Sequence, residues 1–236
     1  MDLYNAKIII TGGSSGIGKA TALQCIQGGA KVIITGRDEN KLKKVAKEIG
    51  AIPLTSDISK LDEIPEMAKE AIALLGGDVD VLINNAGIGV FPKLGEISIN
   101  DLESIYRTNV FGLTLLTQEV CNLMKAKKQG TIINIGSTAS LKGFAGGSVY
   151  AASKFAVRGM TQSWQAELRK FNIRVCLVNP SEVTTAFAQN NRSERAEVSN
   201  KLGGQEIADT ITSIIEMRDK GFVPEVTVWA TNPFES

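Results

Sequence analysis

The stretch Ala6-Lys7-Ile8-Ile9-Ile10-Thr11-Gly12-Gly13-Ser14-Ser15-Gly16-Ile17-Gly18 decides the fold. Its apolar part, residues 6–11, predicts a strand, and residues 15–28 predict a helix. Glycines between the two let the backbone turn tightly and approach a pyrophosphate, which the free N–H groups at the helix N-terminus attract. The turn therefore predicts a dinucleotide site, although a glycine-rich turn that serves only packing remains an alternative.

Outward from this turn, short strands rich in Val and Ile alternate with longer amphipathic segments. Predicted strands cover 6–11, 31–35, 51–55, 79–83, 131–136, 173–178 and 225–229. Predicted helices cover 15–28, 39–49, 61–75, 101–125, 149–170 and 205–217. This alternation predicts an α/β fold: a doubly wound, Rossmann-like parallel sheet of about seven strands with helices on both faces.

We find no linker or repeat, so we expect a single dinucleotide-binding and catalytic domain over residues 1–236. Residues 186–204 are polar, charged and poorly periodic, and they follow the end of a predicted strand. We interpret them as a substrate lid, with an ordinary surface loop as the alternative.

The composition excludes several classes of function. The net charge is +1 and no apolar run could span a bilayer, so we expect a cytoplasmic protein without nucleic-acid or membrane partners. Histidine is absent, which removes hydrolytic triads and His-based metal sites, and Cys25, Cys121 and Cys176 lie far apart. We therefore expect no metal, and chemistry that depends on Tyr, Lys, Ser, Asn or carboxylates.

The segment Tyr150-Ala-Ala-Ser-Lys154 is a candidate acid/base pair. Residues i and i+4 share one face of a helix, and a cation beside a phenol lowers the phenol pKa from about 10. Ser137 follows a predicted strand, where its hydroxyl could polarise a carbonyl, and Asn109 lies within a predicted helix. Taken singly, each of these residues could also be an ordinary surface or turn residue.

Together these motifs resemble the short-chain dehydrogenase/reductases, in their short single-domain branch, over nearly the whole chain. Gly12, Gly16 and Gly18 match the cofactor turn, and Asn84-Asn85-Ala86-Gly87 matches the motif after the fourth strand. The catalytic tetrad of the family is matched by Asn109, Ser137, Tyr150 and Lys154. The resemblance implies cofactor contacts from Gly12, Ser14, Ser15, Gly16, Ile17, Gly18, Arg37, Asp57, Ile58, Asn85, Ala86, Gly87, Tyr150, Lys154, Pro180, Val183 and Thr185.

The resemblance also implies roles. Tyr150 would exchange a proton with the substrate oxygen, which Ser137 would hold. Lys154 would lower the pKa of Tyr150 and bind the nicotinamide ribose, and Asn109 would hold a water molecule in a proton relay. Asn85 would line the adenosine side and brace the central sheet. The family also implies a homodimer or homotetramer built on the two long helices, where Phe111, Leu113, Leu115 and Leu116 crowd one helix.

Two features depart from the family pattern. Ser181 follows Asn179-Pro180 where the family usually has glycine, which puts the path of this turn in doubt. The end of the chain, residues 227–236, lacks the frequent Asp-Gly-Gly sequence, which weakens any transfer of the family's assembly contacts.

The end of the second predicted strand bears on the choice of cofactor. NAD-dependent enzymes of this kind place Asp at the position of Gly36, where it accepts from the ribose 2′-hydroxyl. Gly36 leaves room instead, and the guanidinium of Arg37 suits a 2′-phosphate. Asp38 could partly cancel that charge, and Ser15 is not basic. The residues favour NADP over NAD.

The sequence thus predicts an NADP(H)-dependent oxidoreductase that interconverts a ketone or aldehyde and an alcohol. Alternatives are a catalytically silent regulator of the same fold and a sugar-nucleotide epimerase or dehydratase of a longer branch. Candidate substrates are a 3-oxoacyl thioester, a sugar, a steroid-like ketone and a small xenobiotic ketone. Substrate contacts are expected from residues 139–144, Glu182 and 186–204.

Overall fold

All seven predicted strands form one parallel sheet in the computed structural model, which confirms the predicted fold class. The strands are β1 (Lys7–Ile10), β2 (Lys31–Gly36), β3 (Ile52–Thr55), β4 (Val81–Asn84), β5 (Gly130–Ile135), β6 (Ile173–Pro180) and β7 (Glu225–Val228). Their order in the sheet is β3-β2-β1-β4-β5-β6-β7. The order reverses between β1 and β4, and in doubly wound sheets the crevice at such a reversal binds the ligand.

Helices cover both faces of the sheet. They are α1 (Gly16–Gln27), α2 (Glu39–Ile49), α3 (Ile64–Leu74), α4 (Ile99–Tyr106), α5 (Leu113–Lys127), α6 (Ser148–Leu168) and α7 (Gly204–Glu216). One apolar cluster joins the sheet to α1, α2 and α7, and a second joins its other face to α3 and α5. Because β4, β5 and β6 are buried throughout, the sheet is rigid where the strands end.

The predicted helix over 101–125 lies within a continuous helical stretch from Ile99 to Lys127, but this stretch is not one regular α-helix. A capping box between Ser98 and Asp101 starts α4 earlier, and a π-helical segment, Arg107–Gly112, separates α4 from α5. A Cβ atom at Gly112 would lie 2.1 Å from the carbonyl oxygen of Ile58, so the segment packs directly on that loop. Insertions of this kind often occur at functional sites.

The structure describes residues 1–185, 187, 196 and 198–234. The proposed lid, 186–204, lies largely outside the described residues. Its described end is anchored, since Leu202 pairs with Val183 and accepts a hydrogen bond from the Thr184 N–H at 2.8 Å. In the described part of the chain, no helix has the length and apolar character needed to cross a bilayer.

Candidate active site

A cavity of about 1090 Å³ opens at the carboxyl ends of the central strands. Most of the residues predicted from the sequence line it: Gly12, Ser14, Ser15, Gly16, Ile17, Arg37, Asp57, Ile58, Asn85, Ala86, Gly87, Ser137, Tyr150, Lys154, Pro180, Val183 and Thr185. Gly18 and Asn109 are absent from this lining. The strand ends of β1, β4, β5 and β6 therefore bring residues far apart in the chain to one crevice.

The glycine turn forms one wall of the cavity. Gly12 and Gly16 have φ values of 67° and 52°, a left-handed conformation that side chains disfavour. A Cβ atom at Gly16 would lie 2.9 Å from the Cγ2 atom of Thr185. The first turn of α1 has no acidic residue and Ser15 makes no side-chain cap, so its N–H groups remain available to an anion.

Asn85 ties this turn to the end of β4. Its side-chain N–H groups donate to the carbonyl oxygens of Thr11 at 2.9 Å and Gly12 at 3.0 Å. The Thr11 hydroxyl accepts in return from the backbone N–H groups of Asn85 and Ala86. These bonds fix the two strand ends on either side of the reversal in strand order.

Tyr150 lies on the first turn of α6 with its ring among aromatic side chains. The ring centroid is 5.4 Å from that of Phe91 and 5.6 Å from that of Phe187. Burial raises the pKa of the Tyr150 phenol, and a hydrogen bond from the Ser137 hydroxyl partly opposes that rise. The phenol is therefore protonated at neutral pH and can donate its proton.

Ser137 lies two residues after the end of β5 and caps a short 3₁₀ turn, Thr138–Ser140. Its hydroxyl oxygen accepts from the Ala139 N–H at 3.1 Å. Because this bond uses the oxygen, the hydroxyl proton is left to point toward Tyr150. Ser137 and Tyr150 can then both form hydrogen bonds to the same substrate oxygen.

Lys154 is buried one helical turn after Tyr150. Its ammonium donates to the Ile135 carbonyl oxygen at 2.8 Å and lies 5.8 Å from the centroid of the Tyr150 ring. Burial lowers the pKa of Lys154 to about 8. The amine thus remains mostly protonated at neutral pH, and its effect on the pKa of Tyr150 stays a prediction.

The sequence matches the family model described as short chain dehydrogenase over residues 6–196. The chain belongs to this family.

Individual relatives agree with this assignment. The 3-dehydrosphinganine reductase of Danio rerio is 31% identical over 84% of this chain, which spans only 62% of that protein. The NADP-dependent 3-hydroxy acid dehydrogenase of Schizosaccharomyces pombe is 31% identical, and the match covers 95% of this chain and 92% of that protein. A metagenomic short-chain oxidoreductase solved in complex with NADP has a TM-score of 0.83 at 32% identity, covering 97% of this chain and 98% of that one.

Gly18 does not line the cavity, and its contact with a cofactor stays a prediction. It is buried, and a Cβ atom there would lie 2.4 Å from the Gly12 carbonyl oxygen and 2.5 Å from the Asn85 side-chain nitrogen. Because Gly18 has no side chain, α1 can pack closely on the glycine turn. Gly18 therefore helps to hold Gly12 and Gly16 in place.

Asn109, predicted as a member of the catalytic tetrad, is buried and does not line the cavity. Its side-chain oxygen accepts from the Ile88 N–H at 2.8 Å. Its nitrogen donates to the Ile88 carbonyl oxygen at 3.0 Å and to the Ser153 hydroxyl at 3.1 Å. The π-helical segment turns this amide inward, where it supports the loop after β4. Its role in a water relay stays a prediction.

At the end of β2, the sequence reasoning missed Lys41. Lys41 lines the cavity together with Arg37, so two cationic side chains lie at the same end of it. Asp38 caps α2, and its carboxylate accepts from the Lys41 backbone N–H at 2.9 Å. Lys41 was not a candidate because its place in the first turn of a charged helix is typical of a solvated surface.

The path of the chain after β6 answers the question raised by Ser181. Its backbone N–H donates to the Val228 carbonyl oxygen at 2.9 Å, so the chain continues to follow β7 beyond Pro180. Val183 and Thr185 still reach the cavity wall. The cavity wall at this position therefore forms without the glycine.

Phe91, Phe144 and Phe187 complete the cavity around Tyr150. Phe144 and Phe187 fall in ranges expected to contact substrate, whereas Phe91 was missed. Phe91 and Phe144 keep 45% and 52% of their surface exposed, and their ring centroids lie 6.2 Å apart. No periodic pattern marks a single apolar residue in a loop, so only the folded chain reveals this aromatic surface.

Proposed function

We propose that this chain reduces ketones to alcohols with NADPH, with Tyr150 as the proton donor. The observation that carries the proposal is the shared cavity of Tyr150, Ser137 and Lys154, which opens beside the glycine turn. A protonated phenol, a hydroxyl that bonds to it and a nearby ammonium are the groups that proton transfer to a carbonyl oxygen requires.

The residues present fit a nicotinamide dinucleotide. A side chain at Gly12 or Gly16 would fill the cradle beside the N-terminus of α1, and both are glycine. Asp57 stands at the adenine side, where its carboxylate is held by the N–H and hydroxyl of Ser59. Lys154, Val183 and Thr185 would hold the nicotinamide end. When bound, the cofactor supplies the hydride for reduction of the carbonyl carbon.

The chain's own residues supply the proton and the orientation. The Tyr150 phenol, kept protonated by burial, gives its proton to the carbonyl oxygen as that oxygen becomes an alkoxide. The Ser137 hydroxyl donates a hydrogen bond to the same oxygen and holds it in place. The Lys154 ammonium then stabilises the phenolate that forms. The raised pKa of Tyr150 means that the donor is protonated when reduction begins.

We expect NADPH to bind more tightly than NADH. Arg37 and Lys41 both face the end of the cavity beside Gly36, where a 2′-phosphate would lie. Replacing Arg37 or Lys41 with alanine should each weaken NADPH binding by roughly tenfold, the worth of a charged hydrogen bond, and leave NADH binding nearly unchanged. Fluorescence titration measures both affinities, and Lys44→Ala on α2 controls for the loss of positive charge. Equal affinities in the parent protein would refute the choice of NADPH.

The aromatic surface favours ketones with apolar substituents. Phe91, Phe144 and Phe187 surround the ring that bears the reacting hydroxyl, so apolar groups beside the carbonyl would bury surface there. Among the candidates from the sequence, 3-oxoacyl thioesters and steroid-like ketones present such groups. Burial of the remaining exposed surface of Phe91 and Phe144 would contribute to substrate affinity.

The experiment is a screen of NADPH oxidation with a 3-oxoacyl thioester, a steroid-like ketone, a sugar and a small ketone. We expect kcat/KM to be higher for substrates with more apolar surface beside the carbonyl. Phe91→Ala should make this increase smaller by raising KM for those substrates. Tight NADPH binding with no turnover of any ketone would instead favour the silent cofactor-binding regulator.

We also propose that the chain forms a homodimer or homotetramer through α5 and α6. Leu113 and Leu116 are buried within the chain, so they do not contribute to that surface as the sequence suggested. Phe111 and Phe155 remain 46% and 44% exposed beside these helices. Light scattering that gives the mass of a single chain at micromolar concentration would refute this assembly.

A further inference from the structure

We infer that Glu225 is a positioning residue, which orients Ser137 through the side chain of Asn179. The inference rests on the proposed function, because it assigns Ser137 a role toward the carbonyl oxygen. Glu225 begins β7, Asn179 lies near the end of β6, and Ser137 follows β5. The three residues thus stand on or beside three neighbouring strands, with Ser137 in the cavity lining and Asn179 and Glu225 outside it.

The backbone of Ser137 is held by side chains. Its N–H donates to the Asn179 side-chain oxygen at 3.2 Å and to the Ser140 hydroxyl at 3.1 Å. Asn179 is fully buried, and a Cβ atom at Gly136 would lie 2.2 Å from its side-chain oxygen. The glycine before Ser137 therefore makes room for this amide.

An asparagine amide can adopt two orientations of similar shape, and only one of them accepts from Ser137. The Asn179 nitrogen donates to Glu225 Oε1 at 3.1 Å. A carboxylate can only accept, so it keeps the amide nitrogen on its own side and the amide oxygen toward Ser137. Without that acceptor, the amide could turn and place its N–H groups against the Ser137 N–H.

Arg158 holds Glu225 from the helix that carries the catalytic pair. Its Nε donates to Glu225 Oε2 at 3.0 Å, and it lies one turn after Lys154 on α6. Lys154 in turn donates to the carbonyl oxygen of Ile135, two residues before Ser137. A closed ring of bonds therefore joins β5, β6, β7 and α6, and it sets Ser137 relative to Tyr150.

The test exchanges the two side-chain types. Asn179→Asp alone places a second carboxylate against that of Glu225. Glu225→Gln alone removes the carboxylate, so that the Asn179 amide can turn. The double variant Asn179→Asp/Glu225→Gln restores each pairing. Its introduced aspartate accepts from the Ser137 N–H and from the glutamine amide, whose oxygen accepts from Arg158. Each protein is assayed for ketone reduction, for NADPH Kd and for hydrogen exchange of the Ser137 amide by NMR.

We expect each single variant to lose about tenfold in kcat, within the range that small misplacements of reacting groups cause, with less than about threefold change in NADPH Kd. Exchange of the Ser137 amide should be about tenfold faster, and the double variant should recover kcat and protection to within about threefold of the parent. Asp80→Asn is the matched control, since this partly buried carboxylate pairs with Lys127 just before β4, at the amino end of the strands and away from the cavity. It should leave kcat and the Ser137 amide unchanged.

Additive losses in the double variant, or single variants with parental kcat and parental amide exchange, would overturn the inference. A parent protein that reduces no ketone would refute the proposed function instead. In that case the exchange of the Ser137 amide across the same four proteins would still decide whether Glu225 positions Ser137.

Discussion

Tyr150→Phe is expected to lower kcat for ketone reduction by roughly 10²–10⁴-fold, the usual worth of general acid catalysis. The change removes only the phenolic hydroxyl, which is the proton donor. The ring keeps its contacts with Phe91 and Phe187, so packing and NADPH Kd should remain close to those of the parent. Steady-state kinetics on the best ketone from the screen and a fluorescence titration give the two quantities.

Tyr106→Phe provides the control for this variant. Tyr106 ends α4, and its ring packs against Phe111 outside the cavity lining. It should keep parental kcat, whereas a Tyr150→Phe protein that retained near-parental kcat would end the assignment of Tyr150 as proton donor.

Lys154→Met is expected to reduce turnover by at least about 10²-fold and to weaken NADPH binding, because the ammonium is assigned to both the phenolate and the ribose. This variant should also change how the stability of the folded protein depends on pH. The pKa of Lys154 falls from 10.5 in the unfolded chain to about 8 in the folded protein. Between these values the unfolded chain binds the proton and the folded protein does not, so the free energy of unfolding rises with pH.

The parent should therefore gain roughly 3 kcal/mol of stability between about pH 8 and pH 10.5, and Lys154→Met should lose this gain. At neutral pH the variant avoids the burial of a charge but leaves the Ile135 carbonyl oxygen without its partner, and these effects offset each other. Denaturant unfolding at pH 7, 8 and 9 measures the slope without reaching the range where Tyr150 titrates. Lys44→Met controls for an exposed lysine, and a parental slope in Lys154→Met would contradict the assignment.

The fold could be predicted from the sequence because its signals are local. Each buried strand is a short run of branched apolar residues, and Gly12 and Gly16 mark the turn after β1, where a side chain would crowd Ala86 or Thr185. The sequence also placed Ser137, Tyr150 and Lys154 correctly at one wall. Their positions follow from the ends of predicted strands and from the spacing of residues on a helix, and both can be read directly from the sequence.

The rest depends on contacts between distant segments. Asn109 was expected in a regular helix, but the π-helical segment turns its amide toward Ile88. Gly18 looked like a cofactor contact, yet its closest neighbour is the Gly12 carbonyl oxygen. Glu225 is an ordinary charged residue at the start of a strand, and only the adjacency of β6 and β7 places it beside Asn179. No spacing rule along the chain could reveal these three roles.

The reversal of strand order between β1 and β4 separates the site along the chain as well as in space. Arg37, Lys41 and Asp57, which line the cavity and are proposed to contact the cofactor, all precede β4, whereas Ser137, Phe144 and Tyr150 follow it. Changes at such separate positions usually combine additively. An engineer could therefore exchange the preferred nicotinamide in the first third of the gene, retune the ketone pocket in the remainder, and join the two improved segments by recombination.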